Sequence, residues 1–264
     1  MTLALIAGTG QMPKVVAEAQ EIPPLVCMLE GNAPDGLVPD VTFRLETLGS
    51  LLVDLGTRGV TDVCFVGGIA RPELDPGALD AETAPLVPLF QQALKQGDDG
   101  ALRIVLDIFE KTGFAVRGVE DLVPALLAEG GVYSQAWPDA QMRRDAEVGA
   151  EHIALEGARD IGQACVVAGG RVIGMEDAAG TDALIARMAD RSNDARAILF
   201  KAPKPGQERR IDLPTIGPDT VEAAAKAGFA GIVIDAGDVL VLNRAQCVEL
   251  ADRHGLVLWA RTGD

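Results

Sequence analysis

Four cations stand within ten residues at Lys201, Lys204, Arg209 and Arg210, in a chain that has 23 lysines and arginines among 264 residues. Asp212 follows in the apolar-flanked run IDLPT. Three prolines (Pro203, Pro205 and Pro214) stiffen the stretch, so fixing its side chains costs less entropy. Clustered cations on a stiff loop suit phosphate oxygens; a solvated surface run is the plainer reading, but it has little use for rigidity. Upstream, Glu176 follows the strand-like run RVIGM, and Gly180-Thr181-Asp182 opens a helical pattern. Glu176, Asp182 and Asp212 are oxygen donors of the kind Mg²⁺ or Mn²⁺ prefers. Each also has a local alternative: Asp182 as a first-turn residue behind an N-capping Thr181, and Asp212 as a partner of Arg210. Cations for phosphate, carboxylates for a divalent ion and glycines for close approach are together what phosphoanhydride cleavage requires.

A second candidate lies at the start. Gly8-Thr9-Gly10 sits between the apolar run LALIA and a helical pattern from Met12. Backbone N–H groups there could meet a phosphate. The third glycine of a dinucleotide fingerprint is replaced by Pro13, and a tight turn needing positive φ accounts for the glycines equally well.

Other chemistry is poorly provided for. The only histidines are His152 and His254, which argues against HExxH zinc sites and Ser-His-Asp triads. His254 stands before Gly255, where a cation complements the helix dipole. Cys27, Cys64, Cys165 and Cys247 occur singly in apolar runs, as reduced core thiols do. A net charge of −16 and 4% aromatic content oppose nucleic-acid binding. No apolar run approaches the ~20 residues that span a bilayer, and the N-terminus reads as a first strand rather than a signal peptide. The expectation is a soluble cytoplasmic protein.

The elements that must hold these residues alternate. Strand-like runs at 3–7, 24–29, 41–45, 62–66 and 114–119 enclose helical patterns, notably 47–56 and 98–112, with a Gly/Pro-rich loop at 67–76. After 128–142 a second series begins: helix 143–157, strands 164–168 and 171–175, helix 181–191, strand 196–201 and helix 219–227. A hairpin over 231–242 turning at Ala236-Gly237, a helix from Asn243 to His254 and strand 256–260 complete it. This predicts two α/β domains with mostly parallel sheets: an N-terminal Rossmann-like domain over 1–130, a short linker over 131–142 and a catalytic domain over 143–264.

The motifs GGRVIGMEDAAGTDALIARM (169–188), KAPKPGQERRIDLPTIGPDTV (201–221) and GFAGIVIDAGDVLVLNRAQCVELADRHGL (228–256) resemble the LpxI-type UDP-2,3-diacylglucosamine pyrophosphatases of lipid A biosynthesis. IAGTGQMP, GDDGALRIVLDIFEKTGFAVRG and RDIGQACVV extend the resemblance along nearly the whole chain. It departs at Asp177-Ala178-Ala179, where that pattern has a second glutamate and a glycine. The resemblance implies two α/β domains with a lipid substrate held between them. It also implies metal-dependent hydrolysis of UDP-2,3-diacylglucosamine to UMP and 2,3-diacylglucosamine 1-phosphate.

On this sequence the resemblance makes Asp212, Lys201 and Arg210 catalytic. It assigns substrate binding to Gly8, Gly10, Thr181, Lys204, Gln207 and Thr215, and Mg²⁺ or Mn²⁺ to Asp212, Glu176 and Asp182. The expected setting is the cytoplasmic face of the inner membrane, touched transiently through apolar loops such as GGVYSQAW (130–137). A hydrolase of soluble nucleoside diphosphate sugars and a non-enzymatic sensor of a nucleotide-linked lipid are the alternatives.

Overall fold

A computed structural model describes residues 2–69, 74–93, 95–96, 98–156, 162–189 and 196–263. Three expected segments fall partly outside these: 70–73 of the loop, 157 at the end of one helix and 190–191 at the end of another. The chain divides into two compact units. The first comprises the residues up to Pro124 together with Glu208–Ile211, and the second comprises Ala125–Gln207 together with Asp212 onward.

In the first unit, β1 (Leu3–Ala7), β2 (Leu25–Leu29), β3 (Val41–Phe43), β4 (Asp62–Val66) and β5 (Ala115–Val116) form one sheet in the order β3-β2-β1-β4-β5. Every pairing is parallel. A parallel sheet is covered on both faces, which is why LALIA is apolar throughout and wholly buried rather than alternating. The helices are α1 (Met12–Glu18), α2 (Leu48–Thr57), α3 (Val87–Ala93), α4 (Asp98–Thr112) and α5 (Val119–Leu122). Leu48, Leu51, Leu52 and Leu55 recur at helical spacing on α2 and pack with Ala4, Ile6, Phe65 and Phe109 in the core. Ile211, from the returning segment, packs against this same core.

The second unit begins with β6 (Gly131–Val132) and α6 (Ala140–Glu156). Residues 131–142, expected as a linker, thus hold an edge strand and the first turn of a helix. Next come β7 (Ala164–Ala168), β8 (Arg171–Met175), α7 (Gly180–Ala189), β9 (Ile198–Lys201), β10 (Thr215–Ile216) and α8 (Pro218–Lys226). Last are β11 (Gly231–Asp235), β12 (Leu240–Val241), α9 (Arg244–His254) and β13 (Val257–Arg261). The main sheet runs β6-β13-β11-β9-β7-β8. It is mixed: β9, β11 and β13 are parallel, whereas β6, β7 and β8 join antiparallel.

Strand alternation sends Ile198 and Phe200 into a core with Met142, Ala146 and Ile153 of α6. Leu199 faces the other core, with Leu184, Val221 and Leu250 of α7, α8 and α9. Gly149 lets α6 lie close to the sheet, since a Cβ there would stand 2.6 Å from Phe200 Cγ. The expected hairpin over 231–242 is corrected. β11 is flanked on both sides by parallel neighbours, while β12 leaves the sheet to pair with β10. With both edges of β11 occupied, nothing remains for a returning strand to bond.

The four cysteines are free and buried. Burial pushes the thiols of Cys27, Cys64 and Cys165 up to about 12 and that of Cys247 up to about 11, so they are inert core groups. Gly255 takes the left-handed conformation that ends α9, and His254 before it pairs with Glu222 at 3.3 Å.

Candidate active site

Register places the site. Ala164 pairs with Lys201 and Cys165 with Met175, so the start of β7 and the ends of β8 and β9 share one edge of the sheet. Gln163, Glu176 and Lys201 therefore emerge side by side. Lys201 shares the face of Leu199, and its ammonium is buried. It donates to the Thr181 hydroxyl at 2.8 Å and to the Thr215 carbonyl at 3.1 Å. Burial pulls its pKa down, against the opposing pull of Glu176, Asp182 and Asp212.

Glu176 is buried and both its oxygens are taken. Oε1 accepts the Thr181 hydroxyl at 2.5 Å and Oε2 accepts the Gln163 backbone N–H at 2.6 Å. The Gln163 side-chain amide then donates to Oδ2 of Asp212 at 3.0 Å. Gln207 donates to the same oxygen at 2.7 Å, bonds the Asp212 carbonyl as well, and accepts the Lys204 N–H at 2.8 Å. One continuous chain thus joins Lys201, Thr181, Glu176, Gln163, Asp212, Gln207 and the Lys204 backbone. Oδ1 of half-buried Asp212 receives no hydrogen bond among the described residues. Burial pushes the Asp212 carboxyl above its ordinary value, although Gln163, Lys204, Gln207 and Lys201 all favour its charged form.

Other expected residues lie elsewhere. Asp182 is exposed in the first turn of α7 and influences Lys201 only through space. Arg210 belongs to the first unit, where its Nε and Nη2 meet the two oxygens of Glu208 at 2.9 and 3.0 Å. Its Nη1 meets Glu110 at 2.6 Å. Two carboxylates thus occupy this guanidinium. Gly8 and Gly10 also lie in the first unit. The N–H of Gly8 donates to Val66 at 2.8 Å and that of Thr9 to Gly68 at 2.7 Å. A Cβ on Gly8 would stand 2.3 Å from the Gly68 carbonyl oxygen. Close approach of two backbones therefore requires this glycine, and its N–H already has an acceptor.

Among the described residues no three His, Cys, Asp or Glu side chains are grouped to hold a metal. The expected trio of Glu176, Asp182 and Asp212 does not fit a metal cage, because Glu176 spends both oxygens on protein donors and Asp182 points from an exposed turn. A single carboxylate does fit: Asp212 has Oδ1 open, and Mg²⁺ commonly binds one or two carboxylates with substrate oxygens and water.

Gln163 is the residue that pattern reading missed. Its signal was a lone polar side chain between Gly162 and the fully buried strand ACVVA. Glu110 and Glu208, the partners of Arg210, gave none.

The geometry meets its comparisons here. The LpxI N-terminal domain model matches residues 2–126 and the LpxI C-terminal domain model matches residues 129–259. The chain belongs to the LpxI family. The UDP-2,3-diacylglucosamine pyrophosphatase LpxI of Caulobacter vibrioides (strain ATCC 19089 / CIP 103742 / CB 15) is 36% identical over 266 residues, covering 96% of this chain and 95% of that protein. The LpxI C-terminal match contains the whole hydrogen-bonded chain from Gln163 to Thr215. In this LpxI-family chain, the conjunction of an open carboxylate oxygen and two lysines can orient a water and neutralise phosphate oxygens.

Proposed function

We propose that this chain hydrolyses the pyrophosphate bond of UDP-2,3-diacylglucosamine to UMP and 2,3-diacylglucosamine 1-phosphate, a step of lipid A biosynthesis. One observation carries the reading. A pyrophosphatase of that substrate is 36% identical along 96% of this chain, and the half-buried Asp212 stands beside Lys201 and Lys204 on a proline-stiffened loop.

Asp212 would orient the attacking water through Oδ1. Lys201, fixed by Thr181 and Thr215, and Lys204 would neutralise the phosphate oxygens. Those local cations matter because the chain carries a net charge of −16 and repels an anionic substrate elsewhere. Mg²⁺ or Mn²⁺, bound through Asp212 and the substrate, would supply the remaining positive charge for the pyrophosphate. A carboxyl that burial makes reluctant to ionise is suited to a cation. Arg210, occupied by Glu208 and Glu110, is better suited to anchoring its segment.

No described helix is long and apolar enough to cross a membrane. The lipid would be met at the cytoplasmic face of the inner membrane by transient contact. Trp137, 71% exposed at the end of 130–137, is suited to that contact.

The test is incubation with UDP-2,3-diacylglucosamine and Mg²⁺ or Mn²⁺, followed by product masses. UMP with 2,3-diacylglucosamine 1-phosphate is expected, and EDTA should stop the reaction until metal is restored. Full turnover by thoroughly chelated enzyme would remove the metal. Equal turnover of the unacylated sugar nucleotide would make the chain a hydrolase of soluble substrates, and binding without turnover would make it a sensor.

A further inference from the structure

We propose that Gln163 is a positioning residue for the hydrolysis: together with Gln207 it pins Oδ2 of Asp212, so that Oδ1 alone is presented to the reacting atoms. The proposal rests on the hydrolase reading above and adds a residue to it.

Gln163 is held from three directions. Its N–H donates to Glu176 Oε2 at 2.6 Å, its carbonyl accepts the Ala202 N–H at 3.0 Å, and its side chain donates to Asp212 at 3.0 Å. Each partner lies just past a strand end or in the charged loop, so the backbone of Gln163 cannot drift without breaking the edge of the sheet. Gly162 makes this seat possible. It has φ +39°, and a Cβ there would stand 2.5 Å from the Glu176 carbonyl oxygen. Only a residue without Cβ lets the chain come this close before turning into β7.

The clamp is asymmetric. Both amides meet one carboxylate oxygen, and the other receives no hydrogen bond among the described residues. An amide can donate without contributing charge, so it fixes the carboxylate plane while leaving its basicity to the second oxygen. A carboxylate that must aim a water at one phosphorus benefits from a single allowed orientation, because small misplacements cost large factors in rate.

Gln163→Leu keeps the volume and removes the donor. We expect kcat to fall at least about tenfold, KM to stay within about threefold, and Tm to stay within about 3 °C. Gln163→Asn, which keeps the amide one methylene short, should fall between Leu and wild type in kcat. A risen KM with unchanged kcat would overturn the proposal by making Gln163 a substrate contact, and unchanged kcat and KM would overturn it outright. Should Gln163→Leu fail to fold, Gln163→Asn decides by the same split. A second arm needs no substrate: Gln163→Leu and Asp212→Ala, alone and combined, in urea unfolding. The clamp predicts that the double variant loses less than the sum of the singles, and strict additivity overturns it. If wild type shows no turnover, the hydrolase reading fails and this arm alone judges the clamp.

Discussion

The ammonium of Lys201 donates at 2.8 Å to the hydroxyl of Thr181, and that hydroxyl donates in turn to Glu176 at 2.5 Å. Strand β9 and helix α7 are thereby joined by a buried charge whose proton is held less firmly than in water. Burial lowers the lysine's pKa in the folded chain, so between the folded value and the ordinary 10.5 the unfolded chain binds the extra proton. Stability should rise with pH across that window and level off above it. Lys201→Met should lack this contribution. Urea midpoints of both proteins from pH 7 to 10.5 read it as their difference, and parallel curves would refute the burial argument.

Asp212→Ala should abolish turnover while folding and substrate binding survive. The two lysines keep the phosphates, and a lost negative charge does not weaken an anionic ligand. If Oδ1 orients the water, kcat should fall by about 10²–10⁴. Calorimetry with unreacted substrate and single-turnover rates check both parts. A folded variant retaining more than about a tenth of the rate, a barrier change under ~1.4 kcal/mol, would remove Asp212 from the mechanism.

Arg210 offers a contrast with Lys201. Its guanidinium is spent on Glu208 and Glu110, so Arg210→Lys should leave KM within about threefold. The Arg210–Glu110 pair has side chains 35% and 41% exposed, so solvent screening holds its stabilisation to about 0–1 kcal/mol. A tenfold rise in KM would place Arg210 on the phosphates, as the sequence alone suggests.

Gly8→Ala tests the glycine turn. The added methyl would meet Gly68 backbone at 2.3 Å, with no flexible side chain to yield. Destabilisation by about 1–3 kcal/mol is expected, as for other overpacked sites. Urea unfolding should show it without added ligand. Normal stability with weakened substrate binding would instead make the turn a ligand site.

The sequence by itself determined the local structure. Apolar runs of five residues between turn signals became buried strands, and α2 and α4 fall close to where helical spacing put them, because burial periodicity is written residue by residue. It also marked the rigid charged loop, since prolines and clustered cations are visible without a fold. Only the tertiary structure decided which of those charges meet. Register across β7, β8 and β9 brought Gln163, Glu176 and Lys201 to one edge, and no spacing along the chain encodes a register between strands. Arg210 and Asp212 are two residues apart, yet one is held by Glu110 on α4 and the other by Gln163 before β7. The hairpin expected over 231–242 failed for the same reason: alternating apolar residues make a strand, but which neighbours take its hydrogen bonds is settled by the whole sheet. Hydrogen bonds and ion pairs act over a few ångströms, and only folding decides what lies within that distance.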